Sequence, residues 1–319
     1  MSNYDDDDDN EKQSKIQRDS RAFITRAIFF MAGLTLFALG LGHIHTKEPP
    51  QLSIDIKNMM EAQKLNTKSF EELDLELATS VDVVDKQVRA RKKTPGVIME
   101  TDEEGLELTG KLQKATIKLL EHRYGAKTRH TKFRVVVDVI YPSSIVKDSE
   151  SNKGQLVIEM APHEIIPCSV FYFLEIARTY KSGSFHRNAN HVLQAAASSE
   201  ATKGHKSMPF QEYSPEHPHA KYTTGYAGRP SGPGWYVSIQ DNTKNHGPGS
   251  QQKKNPYEAD SNFGRIIEGV ESGVLDKIHS VPAMGFLADE YCSKIVEMTI
   301  LANSLSDTEL FTEWKMPST

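Results

Sequence analysis

Residues 184–194 read Ser184-Phe185-His186-Arg187-Asn188-Ala189-Asn190-His191-Val192-Leu193-Gln194. An aromatic, a histidine and an arginine stand together, and a glutamine follows on the same short stretch. The run comes just after a helix-like segment. Pro167 opens that segment, as proline is tolerated in a first helical turn, and Val170, Phe171, Phe173, Leu174, Ile176 and Ala177 continue it. From His191 to Ala196 the chain reads as a strand.

Outward from this centre the pattern is mostly β. Phe133-Arg134-Val135-Val136-Val137-Asp138-Val139-Ile140-Tyr141 is rich in β-branched residues and stops at Pro142, the signature of a strand. Gly154 to Met160 reads as a second strand. Residues 198–233 read as loop, with Pro209, Pro215, Pro218, Pro230 and several glycines. Trp235 to Ile239 and Phe263 to Ile267 read as strands, Val270 to Ile278 as a helix and Ser293 to Leu301 as a closing strand. The glycine-rich run Gly228 to Gly234 fits no phosphate-binding pattern. Periodicity alone thus predicts a mainly β domain with two helices.

Several short motifs go further when taken in order: Phe185-His186-Arg187, Gln194, Trp235-Tyr236-Val237, and Phe263-Gly264-Arg265-Ile266-Ile267-Glu268-Gly269. Together they resemble the cyclophilins, the peptidyl-prolyl cis-trans isomerases, over about 132–301. The resemblance implies a closed eight-stranded antiparallel barrel with two capping helices. It implies rotation about X-Pro bonds of polypeptide clients, a reaction that uses no cofactor and no metal. The barrier is ~20 kcal/mol, set by amide resonance, so the enzyme must bind the twisted amide better than either planar form. In the family the motif arginine hydrogen-bonds near the prolyl nitrogen and weakens that resonance. Arg187 matches it, and a fixed fork of N–H donors suits the task.

The same resemblance implies substrate contacts at Phe185, Gln194, His191, Val192, Ala227 and Tyr236. Phe185 also reads as a core residue. Several positions depart from the family pattern. The stretch from arginine to glutamine is one residue shorter. His191 stands where a phenylalanine floors the proline pocket, and Val192 replaces a methionine. Ala227 lies in a segment that has lost its asparagine, and Gly234 replaces a glutamine. Tyr236 replaces a phenylalanine, and Asp260 falls where the family has a histidine. Tyr257 is the aromatic nearest to the position that marks drug-binding members. A polar floor loses apolar burial worth ~1.5–3 kcal/mol. The expected function is therefore weak isomerisation. The alternative is a catalytically silent module that binds proline-containing segments or a partner protein.

The N-terminal part carries different signals. Ala27 to Ile44 is 18 residues long without Asp, Glu, Lys or Arg, which is about the length of a transmembrane helix. A cleaved signal peptide is the competing reading, but no small-x-small site follows it. Lys12, Lys15, Arg18, Arg21 and Arg26 precede the span, against Lys47 and Lys57 after it. That bias predicts a type II membrane protein of the secretory pathway (endoplasmic reticulum or Golgi), with the C-terminal domain lumenal. Residues 1–26 read as a disordered cytosolic tail, 45–131 as a helical stem, and 302–319 as a tail. Apolar stripes at Leu77, Val81, Val84 and Val88 and at Leu108, Leu112, Ala115 and Leu119 predict two stem helices. These pack on each other or on the barrel, or oligomerise the stem as a coiled coil. A net charge of -5 gives no footprint for nucleic acid. Only two cysteines occur, Cys168 and Cys292, so they are either buried thiols or one disulfide. His217 and His219 are the one loop pair with a metal-like spacing.

Overall fold

A computed structural model describes residues 68–91, 96–125, 131–146, 151–197, 205–228, 232–250, 258–281, 284–303 and 310–316. The predicted membrane segment Ala27 to Ile44, the cytosolic tail, Tyr257 and residues 229–231 lie outside the described residues. Among the described residues no helix is long and apolar enough to cross a membrane.

The chain forms helices α1 (Phe70–Arg89) and α2 (Glu103–Tyr124), then β1 (Phe133–Ile140), β2 (Lys153–Met160) and α3 (Pro167–Arg178). Next come β3 (Gly183–Asn188), β4 (Val192–Ala197), β5 (Thr223–Tyr226), β6 (Trp235–Ser238) and the one-turn α4 (Thr243–His246). The order ends with β7 (Asn262–Glu268), α5 (Val274–His279), β8 (Gly285–Phe286), β9 (Ser293–Asn303) and β10 (Phe311–Glu313).

The strands run antiparallel in the order β9-β1-β2-β7-β5-β6-β4-β3, and β3 pairs back onto β9. Eight strands therefore close on themselves, as the resemblance implies, and closure removes the exposed edges of an open sheet. β8 and β10 are added outside that ring, on β3 and β9. Strand alternation sorts the faces: Phe133, Val135, Val137 and Val139 of β1 are buried, and their neighbours are half-buried. Inside, Phe173 of α3 stacks on Phe263 at 3.9 Å, and Trp235 meets Phe173 edge-on at 5.5 Å.

Four features differ from the sequence reading. β3 and β5 lie in stretches whose short alternation is masked by polar and turn-forming residues. The second predicted helix shortens to α5, because Gly269 and Gly273 take left-handed backbone (φ 103° and 75°) and form turns. The stretch read as a C-terminal tail returns as β10. Phe311 packs under the Arg134 guanidinium at 3.9 Å, and Trp314 packs on Tyr124 at 4.6 Å.

α1 and α2 belong to the same compact unit as the barrel, residues 67–319. α1 starts at a capping box between Ser69 and Glu72, and α2 stops at Gly125, whose φ is 70°. Val81 and Val88 of α1 and Leu112 and Leu119 of α2 join the main apolar core, with Leu77 and Val84 packed against it. Arg123 of α2 locks the arrangement. It donates to Asp74 of α1 at 2.7 Å and to Glu175 of α3 at 2.9 Å. The predicted apolar stripes are therefore in use within the chain.

The start of α3 is capped from a distance. Ile166, at the capping position, offers no side-chain acceptor. The buried Glu212 carboxylate accepts instead from Ser169 N (2.6 Å), Ser169 Oγ (2.8 Å), Cys168 N (3.4 Å) and Gln113 Nε2 of α2 (2.8 Å). Burial pushes this carboxyl up, against the pull of those donors. Cys168 and Cys292 are both free thiols and both buried.

Candidate functional site

The motif arginine is aimed by an irregularity in β3. Pairing with β4 runs Phe185 to Ala195 and then Arg187 to Gln194, so His186 is an extra residue. Strict alternation would put Phe185 and Arg187 on one face. The bulge reverses this. Phe185 points into the barrel, 1 % exposed and edge-on to Trp235 at 5.6 Å, while Arg187 is half-buried beside Gln194. Arg187 Nη1 donates to Gln194 Oε1 at 3.1 Å.

The register continues this row across the barrel wall. Gln194 pairs with Tyr236, Tyr236 with Gly225, and Gly225 with Asn262. On the other side Arg187 pairs with Phe286 of β8. One row of outward positions therefore reads Phe286, Arg187, Gln194, Tyr236, Gly225, Asn262. Gly225 is required there: a Cβ would lie 2.6 Å from the Tyr236 hydroxyl and 3.1 Å from His219 Cε1.

A polar cluster covers the Tyr236 end. The His246 ring of α4 lies 4.8 Å from the Tyr236 ring, 5.5 Å from His191 and 5.7 Å from His219. His191 and His246 are nearly parallel, 23° apart. Asp260 joins them: its carboxylate accepts from the Tyr236 hydroxyl at 3.1 Å and pairs with His246 Nδ1. His219 Nε2 donates to the Asp260 carbonyl at 2.8 Å, and its Nδ1 lies 3.2 Å from the Tyr236 hydroxyl. A carbonyl only accepts, so this bond fixes the proton on Nε2. The His191 carbonyl accepts from Asn242 Nδ2 at 2.8 Å and from Ile239 N at 3.1 Å, which pins the backbone at His191.

Of the seven residues singled out from sequence, six lie on or beside this outer wall, but they are not equally reachable. Arg187, Gln194, His191 and Ala227 are half-buried. Val192 and Tyr236 are each only 3 % exposed. Phe185 is inside the barrel and offers no surface to a ligand. Its aromatic character serves packing, and the reading of it as a substrate contact is corrected accordingly. Ala227 is held by a hydrogen bond from its N–H to the Gly234 carbonyl at 2.8 Å. A Cβ at 234 would meet nothing closer than 3.7 Å, so the wall is open next to Gly234.

Electrostatics follow from the crowding of basic groups. Burial pushes the His191 imidazole below its ordinary range, helped by His246 and Arg187 nearby. His186 is lowered by burial and by Arg187, against a backbone hydrogen bond at Ser184. Both rings are therefore neutral at pH 7. Among the described residues no group of three or more His, Cys, Asp or Glu is placed to hold an ion, and His219 bonds instead to the Asp260 carbonyl beside the Tyr236 hydroxyl.

Sequence reasoning missed His246 and Phe286. His246 stands in a turn-rich His-Gly-Pro-Gly run, and Phe286 sits in the short stretch Met284-Gly285-Phe286-Leu287, which is too brief to show a period, so neither carries a local signal. Asp260 was identified only by counting back from Phe263.

No family model matches this chain, and no curated protein does. Among solved structures, the chain is similar to a cyclophilin-type peptidyl-prolyl cis-trans isomerase of Cryptosporidium parvum at 17 % identity and a TM-score of 0.37. That match covers 54 % of this chain and 98 % of the other. A second structure, obtained in the presence of the dipeptide Ala-Pro, matches at 16 % identity and a TM-score of 0.35. It covers 51 % of this chain and 96 % of the other.

Proposed function

We propose that this chain is a cyclophilin-like prolyl isomerase of low turnover. The single observation that carries the reading is the Arg187–Gln194 pair, joined at 3.1 Å on the outer wall of the closed barrel. Gln194 fixes one arm of the guanidinium and leaves the others for a ligand. A prolyl amide placed against Arg187 would be twisted more easily, because a donor at the prolyl nitrogen draws off the lone pair that makes the C–N bond rigid. No covalent step, metal or cofactor enters this scheme. Turnover is low because the pocket beyond Gln194 is lined by His191 and His246, and two of its predicted contacts, Val192 and Tyr236, are buried.

A second reading has its own support. The network of His246, Asp260, Tyr236 and His219 fills the pocket with polar groups that bond to one another. Such a pocket favours a silent module that binds proline-containing segments or a partner protein without rotating the bond. The test is isomerisation of a proline peptide followed by NMR exchange, using the full chain in detergent. Turnover abolished by Arg187→Ala supports the isomerase. Binding without exchange supports the module, and exchange unchanged by Arg187→Ala removes Arg187 from its role.

The remaining proposals rest on sequence. Ala27 to Ile44 anchors the chain as a single-pass type II membrane protein of the secretory pathway, endoplasmic reticulum or Golgi. The barrel then faces lumenal clients, and self-association of the stem would use surfaces other than its buried stripes.

A further inference from the structure

Phe286 is the most exposed large apolar side chain among the described residues, at 77 %. A single exposed aromatic is ordinary on a protein surface. What sets this one apart is its cross-strand partner. β8 pairs with β3 so that Phe286 stands directly opposite Arg187. The Arg187 guanidinium carbon lies 5.4 Å from the ring centroid, within cation–π range. The His186 ring lies nearly parallel to it, 17° off, at 6.2 Å. Met284, two residues earlier, is also exposed, at 55 %. Gly285 between them takes φ 84°, a conformation open to glycine, and so starts the short strand that presents the ring.

Arg187 is thus flanked on one side by Gln194, a polar partner, and on the other by a bare aromatic ring. A polypeptide whose X-Pro amide lies at Arg187 advances only ~3.3 Å per residue. Its next side chain therefore comes within reach of Phe286.

We propose that Phe286, with Met284 beside it, is a specificity-determining contact that takes a large apolar side chain from the residue adjoining the target proline. This inference rests on the reading of Arg187 as the prolyl-amide contact. Phe286 touches the client and not the reacting bond, so its removal should change which peptides are preferred more than how fast the bond turns.

The test compares proline peptides carrying Phe, Leu or Gly on either side of the proline. Exchange rates and Kd are read by NMR on the full chain in detergent, for wild type, Phe286→Ser, Phe286→Trp and Arg187→Ala. With its exposed position, Phe286→Ser should fold as wild type does, which circular dichroism checks. The expected result is a preference for Phe or Leu over Gly of about five- to tenfold at one flanking position. That ratio collapses in Phe286→Ser and returns in Phe286→Trp. If wild type binds without turnover, the same ratio is read from Kd alone. An equal preference in wild type and Phe286→Ser, or no preference in wild type, overturns the proposal. Turnover surviving Arg187→Ala overturns the underlying reading instead, so the two failures are told apart.

Discussion

Replacing His191 by phenylalanine tests the account of the pocket most directly. His191, the proposed floor of the proline pocket, is half-buried, with its ring nearly parallel to His246 at 5.5 Å. A phenyl ring occupies much the same plane but trades two ring nitrogens for apolar surface. The floor is only partly covered, so the gain is a fraction of the ~1.5–3 kcal/mol of a fully buried side chain, about 1 kcal/mol. That is about a fivefold rise in kcat/KM for a proline peptide. The pH profile should change as well. The folded His191 titrates below its ordinary value, because of burial and of His246 and Arg187. At pH 7 it is neutral. As pH falls through its folded value it gains a charge beside Arg187, and wild-type activity should decline there. Stability follows the same sign. Below about pH 6.5 the unfolded chain takes up a proton that the folded chain still refuses, so folding stability falls until the folded value is passed. In His191→Phe the activity effect should be absent or reduced to what His186 contributes, and the loss of stability reduced to what the other lowered histidines, His163, His186, His205 and His217, contribute. The assay is NMR exchange on one peptide from pH 5 to 8, with urea midpoints at the same pH values. A variant no faster than wild type, with an unaltered acid limb, would show that His191 is not the floor a proline ring meets.

Two further outcomes concern what holds the site in place. Glu212→Ala leaves the first N–H groups of α3, the Ser169 hydroxyl and the Gln113 amide without their acceptor; the loss should be about 3 kcal/mol in urea unfolding. Glu212→Gln keeps the oxygen that accepts both Ser169 bonds and should cost about half as much, so equal losses in the two variants would deny the capping role. Gly225→Ala pushes a methyl against the Tyr236 hydroxyl, which cannot move without giving up Asp260. It should lower stability by about 2 kcal/mol and shift the Tyr236 ring resonances, and an unperturbed Tyr236 spectrum would contradict the close approach.

Much of the barrel was legible in the sequence because its longer strands are rich in β-branched and aromatic residues and are bounded by turn formers. β1 places Phe133, Val135, Val137 and Val139 at alternate positions facing inward, and β2, β6, β7 and β9 were each found within a few residues of their ends. β3 and β5 were not, since Gly183 to Asn188 and Thr223 to Tyr226 mix glycine, serine and polar residues whose burial depends on neighbours distant in the chain. The helix stripes were visible too, but a stripe only says that a face must be covered. Arg123, bridging Asp74 and Glu175 across three helices, shows that the covering surface is the rest of this domain.

The candidate site divides in the same way. The residue types were in the sequence: an arginine with a glutamine seven residues on, a histidine where the family resemblance implies an apolar floor, and an apolar span at Ala27 to Ile44. The apolar span follows from local composition, and the other positions from short motifs that carry the resemblance; neither needs a partner elsewhere in the fold. The tertiary structure alone decided which way the residues face. Simple alternation would have sent Arg187 into the barrel with Phe185. The bulge at His186 turns it outward, and that bulge exists because β3 must pair in register with β4 on one side and with β8 and β9 on the other. It likewise brought His246, Asp260 and His219 over Tyr236, and Phe286 beside Arg187. Register is a property of strands meeting across the sheet, and no local stretch of sequence carries it.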